Sequence, residues 1–109
     1  MNKSTTEKFS IFDLVKKNPD KDWNWWELSR IPTLSFEFVI ANPDFPWDWR
    51  ELSKHPNLSF EFVRTHPDLP WDWRVLSTSL NITPEIIEAN LDLPWEWYAL
   101  SQNPNMKND

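Results

Sequence analysis

Laid over itself so that Trp23 falls on Trp47, the chain sets tryptophan on tryptophan throughout. Trp23, Trp47, Trp71 and Trp95 form one column, and Trp25, Trp49, Trp73 and Trp97 a second. Leu28, Leu52, Leu76 and Leu100 fill a third, each followed by serine, and Asp20, Asp44, Asp68 and Asp92 a fourth. A period of this length constrains the fold more than local propensity does, because each unit is one supersecondary element that buries its apolar face only on its neighbours. The expectation is a single domain, 1–109, holding about four units that start near residues 18, 42, 66 and 90. That number meets the usual minimum of about three. "IFDLVKKNPD" matches "SFEFVIANPD" and "SFEFVRTHPD" at the same shift, so a half-unit, 5–18, precedes them, and a polar tail, 103–109, follows.

Each unit offers two helix-sized segments. The first, "PWDWRELSK" in the second copy, puts Pro46 where a first helical turn tolerates a missing N–H and Asp48 near the positive end of the dipole. Trp49, Leu52 and Ser53 then share a face. The second, "SFEFVRTH", alternates as a strand would, but the same columns read "TPEIIEAN" in the next copy. There Thr83 is an N-cap, Pro84 the first helical residue and Glu85 part of the first turn. Ser35 and Ser59 become N-caps by equivalence. The sequons at Asn57 and Asn81 are by-products of this capping hydroxyl, and a third falls at Asn2. The predicted fold class is all-α, a short α-solenoid of helix-turn-helix repeats. Segments of eight or nine residues span roughly 12–14 Å and are marginal alone in water. Pro19, Pro43 and Pro67 stop the second helices. Leu91 in that column predicts a different end for the last one, and "DKDWNWWELS", without a proline before its first tryptophan, a different start for the first.

Residues i and i+2 on a helix are about 200° apart, so a helical Trp47 and Trp49 point to opposite sides. Two layers of helices bury both. Nine tryptophans and seven phenylalanines are the largest apolar groups present, at about 150–250 Å² each. They are expected to build the core: Trp23, Trp25, Trp47, Trp49, Trp71, Trp73, Trp95 and Trp97, with Leu28, Leu52, Leu76 and Leu100.

"NPDFPWDWRELS" and "HPDLPWDWRVLS", followed by "NLSFEFV" or "NITPEII", resemble the tandem tryptophan-rich repeats of giant DNA virus proteins, in which N-P-D-x-P-W-D-W-x-x-L-S recurs. The resemblance covers about residues 11–105. It implies a viral or virus-derived protein and brings no activity or catalytic residues with it.

No catalytic constellation, cofactor motif or metal-ligand spacing stands out, and no enzyme activity is expected. Glycine and cysteine are absent, which removes glycine-rich phosphate loops and thiolate chemistry. His55 and His66 share columns with Ile31, Ser79 and Asn103, or with Asn18, Asn42 and Asn90, and read as turn residues. The Asp column stands one unit apart, too far for one calcium shell. A net charge of −6 disfavours nucleic acid and membrane surfaces. No signal peptide or membrane-spanning stretch is read, so an intracellular, soluble protein is expected. The informative columns are those that vary. Trp26, Arg50, Arg74 and Tyr98 share one, and these are the residue types richest in binding hot spots. They read either as a partner-binding row or as solvated surface with Arg stems over indole edges. The expected function is a non-enzymatic module for protein interaction or assembly, its partner a protein of unknown identity. The alternatives are single-stranded nucleic-acid binding by helical repeats and a self-assembling virion component.

Overall fold

In a computed structural model of the chain, which describes residues 10–106, the fold is all-α, and no strand occurs among the described residues. The helices in chain order are α1 (Ile11–Lys17), α2 (Trp25–Leu28), α3 (Phe36–Ala41), α4 (Trp49–Leu52), α5 (Phe60–Thr65), α6 (Trp73–Ser77), α7 (Pro84–Ala89) and α8 (Trp97–Leu100), followed by a 3-10 turn at Pro104–Met106. The expected half-unit 5–18 is therefore seen from Ser10 and the tail 103–109 as far as Met106. Asn2 and the rest of both lie outside the described residues. No helix among the described residues is long and apolar enough to cross a membrane.

The odd-numbered helices start where the hydroxyls predict. Ser35, Ser59 and Thr83 have extended backbones, and their side-chain oxygens accept the N–H of Phe38, Phe62 and Ile86 at 3.1, 3.2 and 3.3 Å. Ser10 adds a capping box with Asp13. These helices end on Asn18, Asn42, His66 and Asn90. A side-chain nitrogen of each reaches the carbonyl one helical turn back, at 3.1, 2.9, 2.9 and 2.8 Å. This satisfies a carbonyl that a helix end otherwise leaves open. The same device ends α7, so Leu91 in the proline column changes nothing there.

The even-numbered helices differ from expectation. They have four or five residues, not eight or nine, and Pro46 does not open α4. The Trp47 N–H instead donates to the Phe45 carbonyl at 2.8 Å, and Trp71 and Trp95 repeat this with Leu69 and Leu93. Proline, whose ring fixes φ in the range such a turn needs, suits the centre of an inverse γ-turn. Asp22 takes that place in the first unit, where Trp23 N–H still reaches Lys21 O at 2.8 Å; α2 therefore starts as the others do. The helix begins only after the following residue. Asn24, Asp48, Asp72 and Glu96 are the N-caps. Trp47 thus precedes its helix, and the opposed directions expected of a helical Trp47 and Trp49 do not apply.

One-turn helices are not stable alone, and burial holds these. Leu28, Leu52, Leu76 and Leu100 are buried. The centre of the core is more aliphatic than expected: Val15, Leu34, Val39, Leu52, Val63 and Ile82 are the largest apolar side chains fully enclosed. Trp47, Trp71 and Trp95 are also buried, whereas Trp23, Trp25, Trp49 and Trp73 are half-buried. Trp97 is 57% exposed and does not belong to the core. The reason is positional. Trp25, Trp49 and Trp73 meet Trp47, Trp71 and Trp95 of the following unit edge to face, ring centroids 5.2, 5.2 and 5.3 Å apart and nearly perpendicular. No such indole meets Trp97 among the described residues. Edge-to-face pairs of this kind add about 0.5–1.5 kcal/mol beyond burial. The indole N–H groups of Trp23, Trp47, Trp71 and Trp95 donate to the carbonyls of Asn18, Asn42, His66 and Asn90, tying each even-numbered helix to the odd-numbered one before it. The chain is elongated, 60 × 29 × 21 Å.

Candidate interaction surface

Trp26, Arg50, Arg74 and Tyr98 are the second residues of α2, α4, α6 and α8, and all four are exposed. They are not equivalent in their surroundings. Trp26 donates its indole N–H to Glu51 Oε2 at 3.1 Å, and the Arg30 guanidinium carbon lies 4.3 Å from its ring centroid. Glu51 is buried, and its charge is balanced by Arg30 and Lys54, each 3.6 Å away. Val75 and Ala99 occupy the Glu51 column further along, so the network has no counterpart there. The side chains of Arg50, Arg74 and Tyr98 have no hydrogen bond or ion pair among the described residues.

Beneath this row, successive units are joined by side chains that bond backbone. Ser29, Ser53 and Ser77 accept the N–H of Asp48, Asp72 and Glu96 at 2.9, 2.8 and 3.0 Å. His55, buried, places Nε2 2.8 Å from Ile31 O and Nδ1 3.0 Å from the Asn57 nitrogen. Both contacts are satisfied by the tautomer with the proton on Nε2. Asn103 plays the same part later, donating to Ser77 O and Ser79 O at 2.8 and 2.9 Å. Asn57 and Asn105 donate to Pro32 O and Leu34 O, and to Leu80 O and Ile82 O.

The middle junction lacks these staples. Ser79 stands in the His55–Asn103 column, and its short side chain reaches only the Asn81 N–H, at 3.1 Å. Among the described residues the single hydrogen bond from the third unit to the turn that follows α4 is Asp72 N–H to Ser53 Oγ. A cleft of about 390 Å³ opens there, with Arg50, Lys54 and His55 on one side and Ser79, Asn81 and Ile82 on the other.

Sequence reasoning placed His55, Asn57, Asn103 and the Leu-Ser serines in turns or on helix faces and missed that they join successive units. The signal was present, a serine after every leucine and Asn or His in a fixed column, but its partners are backbone N–H and carbonyl groups without sequence identity.

Among the described residues no three His, Cys, Asp or Glu side chains converge on a point that would hold a metal ion. His66 stacks on Phe62, and its Nδ1 faces both Phe62 O, at 2.9 Å, and Thr65 Oγ1, at 3.1 Å. As the donor to that carbonyl, Nδ1 has no lone pair with which to take a hydroxyl proton. Glu61 and Arg64 pair on the exposed face of α5; the hydrogen bond holds the carboxyl below its ordinary range and raises the guanidinium. Such a pair on a fully exposed helix face is a surface feature. Compared with known proteins, the chain matches no family model, no curated protein and no solved structure.

Proposed function

We propose that the chain is a short α-solenoid of four 24-residue helix-turn-helix repeats and that it acts as a non-enzymatic protein-interaction or assembly module. The observation carrying this reading is the placement of Trp26, Arg50, Arg74 and Tyr98 at one position of four equivalent helices, exposed, with the last three free of intramolecular polar partners among the described residues. A row of hot-spot residue types on short, tightly capped helices presents itself to a protein segment with little ordering cost. Trp26 is held in place beforehand by Glu51 and Arg30. The resemblance to giant-virus tryptophan-rich repeats supports a viral or virus-derived origin and an intracellular setting.

The test compares proteins recovered from infected cells by the wild type and by a variant with all four row residues changed to alanine. Circular dichroism first establishes that the two fold alike. The reading expects the variant to lose a discrete set of proteins; recovery of the same set by both removes the row. The same side chains stack on bases, so a titration with single-stranded RNA and DNA at two salt concentrations accompanies the comparison. Weak binding is expected from a net charge of −6, and tight, salt-sensitive binding replaces the protein partner with nucleic acid.

A further inference from the structure

Every internal junction of the array has a receiving half and a delivering half. The receiving half is a tryptophan of the second column and the serine one helical turn on: Trp25 with Ser29, Trp49 with Ser53, Trp73 with Ser77. The delivering half is a short segment. Phe45-Pro46-Trp47-Asp48, Leu69-Pro70-Trp71-Asp72 and Leu93-Pro94-Trp95-Glu96 each set an indole against the receiving tryptophan and a backbone N–H on the receiving serine. Trp71 and Trp95 also approach Phe36 and Phe60, at 6.1 and 5.6 Å.

In the last unit the receiving half is present, and no described residue delivers to it. Trp97 is 57% exposed. Pro84 continues the Phe36–Phe60 column. Trp97, Pro84, Ile87, Leu91, Leu100 and Met106 line a concavity of about 340 Å³ where the repeat geometry would seat the next indole. Ser101 Oγ donates to Tyr98 O, three residues back, at 2.6 Å, whereas Ser53 Oγ donates to Trp49 O, four residues back, while also accepting from Asp72 N–H. The Ser101 hydroxyl accepts no hydrogen bond among the described residues. An apolar socket and a hydroxyl able to accept therefore lie side by side, at the positions that three internal junctions fill with one kind of segment.

We propose that this C-terminal face docks a segment of another protein carrying Phe or Leu, then Pro, Trp and an acidic residue, seated as the chain's own segments are. The proposal rests on the repeat reading and is independent of the Trp26 row. The leading edge of a second copy is a poor match, because the first unit presents Lys21-Asp22-Trp23-Asn24, with charge in place of the apolar residue and the proline. The interface continues a contact the chain already makes three times, so the occupant's chemistry is set by those copies.

The probe is a labelled synthetic peptide, DLPWDWR, titrated against the full chain by fluorescence anisotropy. Saturable one-to-one binding is expected. It should weaken at least about tenfold with Trp97→Ala, or when the first tryptophan of the peptide becomes alanine. Ser101→Ala should weaken it by a few-fold, and the four-alanine row variant should bind as the wild type does. Trp97 is exposed, so Trp97→Ala should keep its circular dichroism and melting temperature; that separates loss of the socket from loss of the array. No binding at millimolar peptide, or equal binding to Trp97→Ala, overturns the proposal. So does self-association of the wild type, seen by sedimentation at varied concentration, that Trp97→Ala abolishes and the peptide cannot displace, since the occupant is then a second copy.

Discussion

Replacing Ser79 by asparagine should stabilise the protein, although with serine there no buried polar side-chain atom among the described residues is left unpaired. At the equivalent position Asn103 donates to two carbonyls of the preceding unit and accepts the Asn105 N–H at 2.9 Å. The backbone is prepared for the same arrangement at Ser79: its N–H donates to Leu76 O and its carbonyl accepts from Ile82 N–H, as Asn103 does with Leu100 and Met106. A longer amide at this position would reach Ser53 O and His55 O while keeping the bond from Asn81. Two added hydrogen bonds are worth about 0.5–1.5 kcal/mol each net, and ordering one side chain offsets part of that. The expected gain is about 1–2 kcal/mol. At roughly 4–8 °C per kcal/mol for a domain near this size, the melting temperature rises by roughly 4–16 °C.

Thermal denaturation followed by circular dichroism reads this directly, with Asn103→Ser as the reverse experiment. The reverse change removes two bonds from a buried site and should cost about 2–3 kcal/mol, since it also leaves the Ser77 carbonyl unpartnered. A melting temperature for Ser79→Asn equal to the wild type's, alongside a clear loss for Asn103→Ser, would refute the reasoning. Side-chain length would then not be what separates the second and third units.

Leu80 is 71% exposed in a column otherwise filled by Pro32, Pro56 and Pro104, and its N–H makes no hydrogen bond among the described residues. Leu80→Pro should therefore raise stability by about 0.4–1 kcal/mol through the unfolded state, measured by urea titration. Ser53→Ala removes the hydrogen bond that the Asp72 N–H makes to the turn after α4 and strands that N–H. A loss of about 1–3 kcal/mol is expected, against little change in stability for Ser101→Ala; similar losses for both would contradict the assigned roles.

The helical class and the starts of α3, α5 and α7 were legible because one unit, Thr83-Pro84-Glu85, spells out a helix N-terminus that its equivalents only suggest. The starts of α4 and α6 were not. Proline before a tryptophan fits a first helical turn or the centre of a γ-turn equally well, and only the latter leaves Trp47 outside the helix. The N-cap column Asn24, Asp48, Asp72 and Glu96 held the deciding clue, since Asp and Asn are better N-caps than interior residues. Trp97 was misplaced for a different reason. A periodic sequence assigns every copy the same environment, whereas burial depends on a following neighbour. The exposure of the Trp26 row was legible from its variability, but the locking of Trp26 by Glu51 was not, because it couples columns of adjacent units.

The middle junction has a consequence for how the molecule unfolds. In the linear array proposed above, stability is approximately a sum of unit terms and nearest-neighbour terms, so a weak neighbour term divides the chain into blocks. Two features weaken it in the third unit. The cross-junction staples lapse at Ser79 and Asn81, and the buried apolar groups separate into one cluster ending at Leu76 and another beginning at Ile82. Phe60 and Trp73 are half-buried links between them, packed against both. The C-terminal block, from α6 to α8, is the smaller one and should open first. Hydrogen exchange is the discriminating measurement: amides of Ile87 and Leu100 should exchange through a lower-energy opening than those of Val39 and Leu52. Ser79→Asn should raise the protection of the first pair toward that of the second. Equal protection of both pairs in the wild type would mean that Phe60 and Trp73 alone couple the blocks into one cooperative unit, and that aromatic packing outweighs the missing hydrogen bonds at this seam.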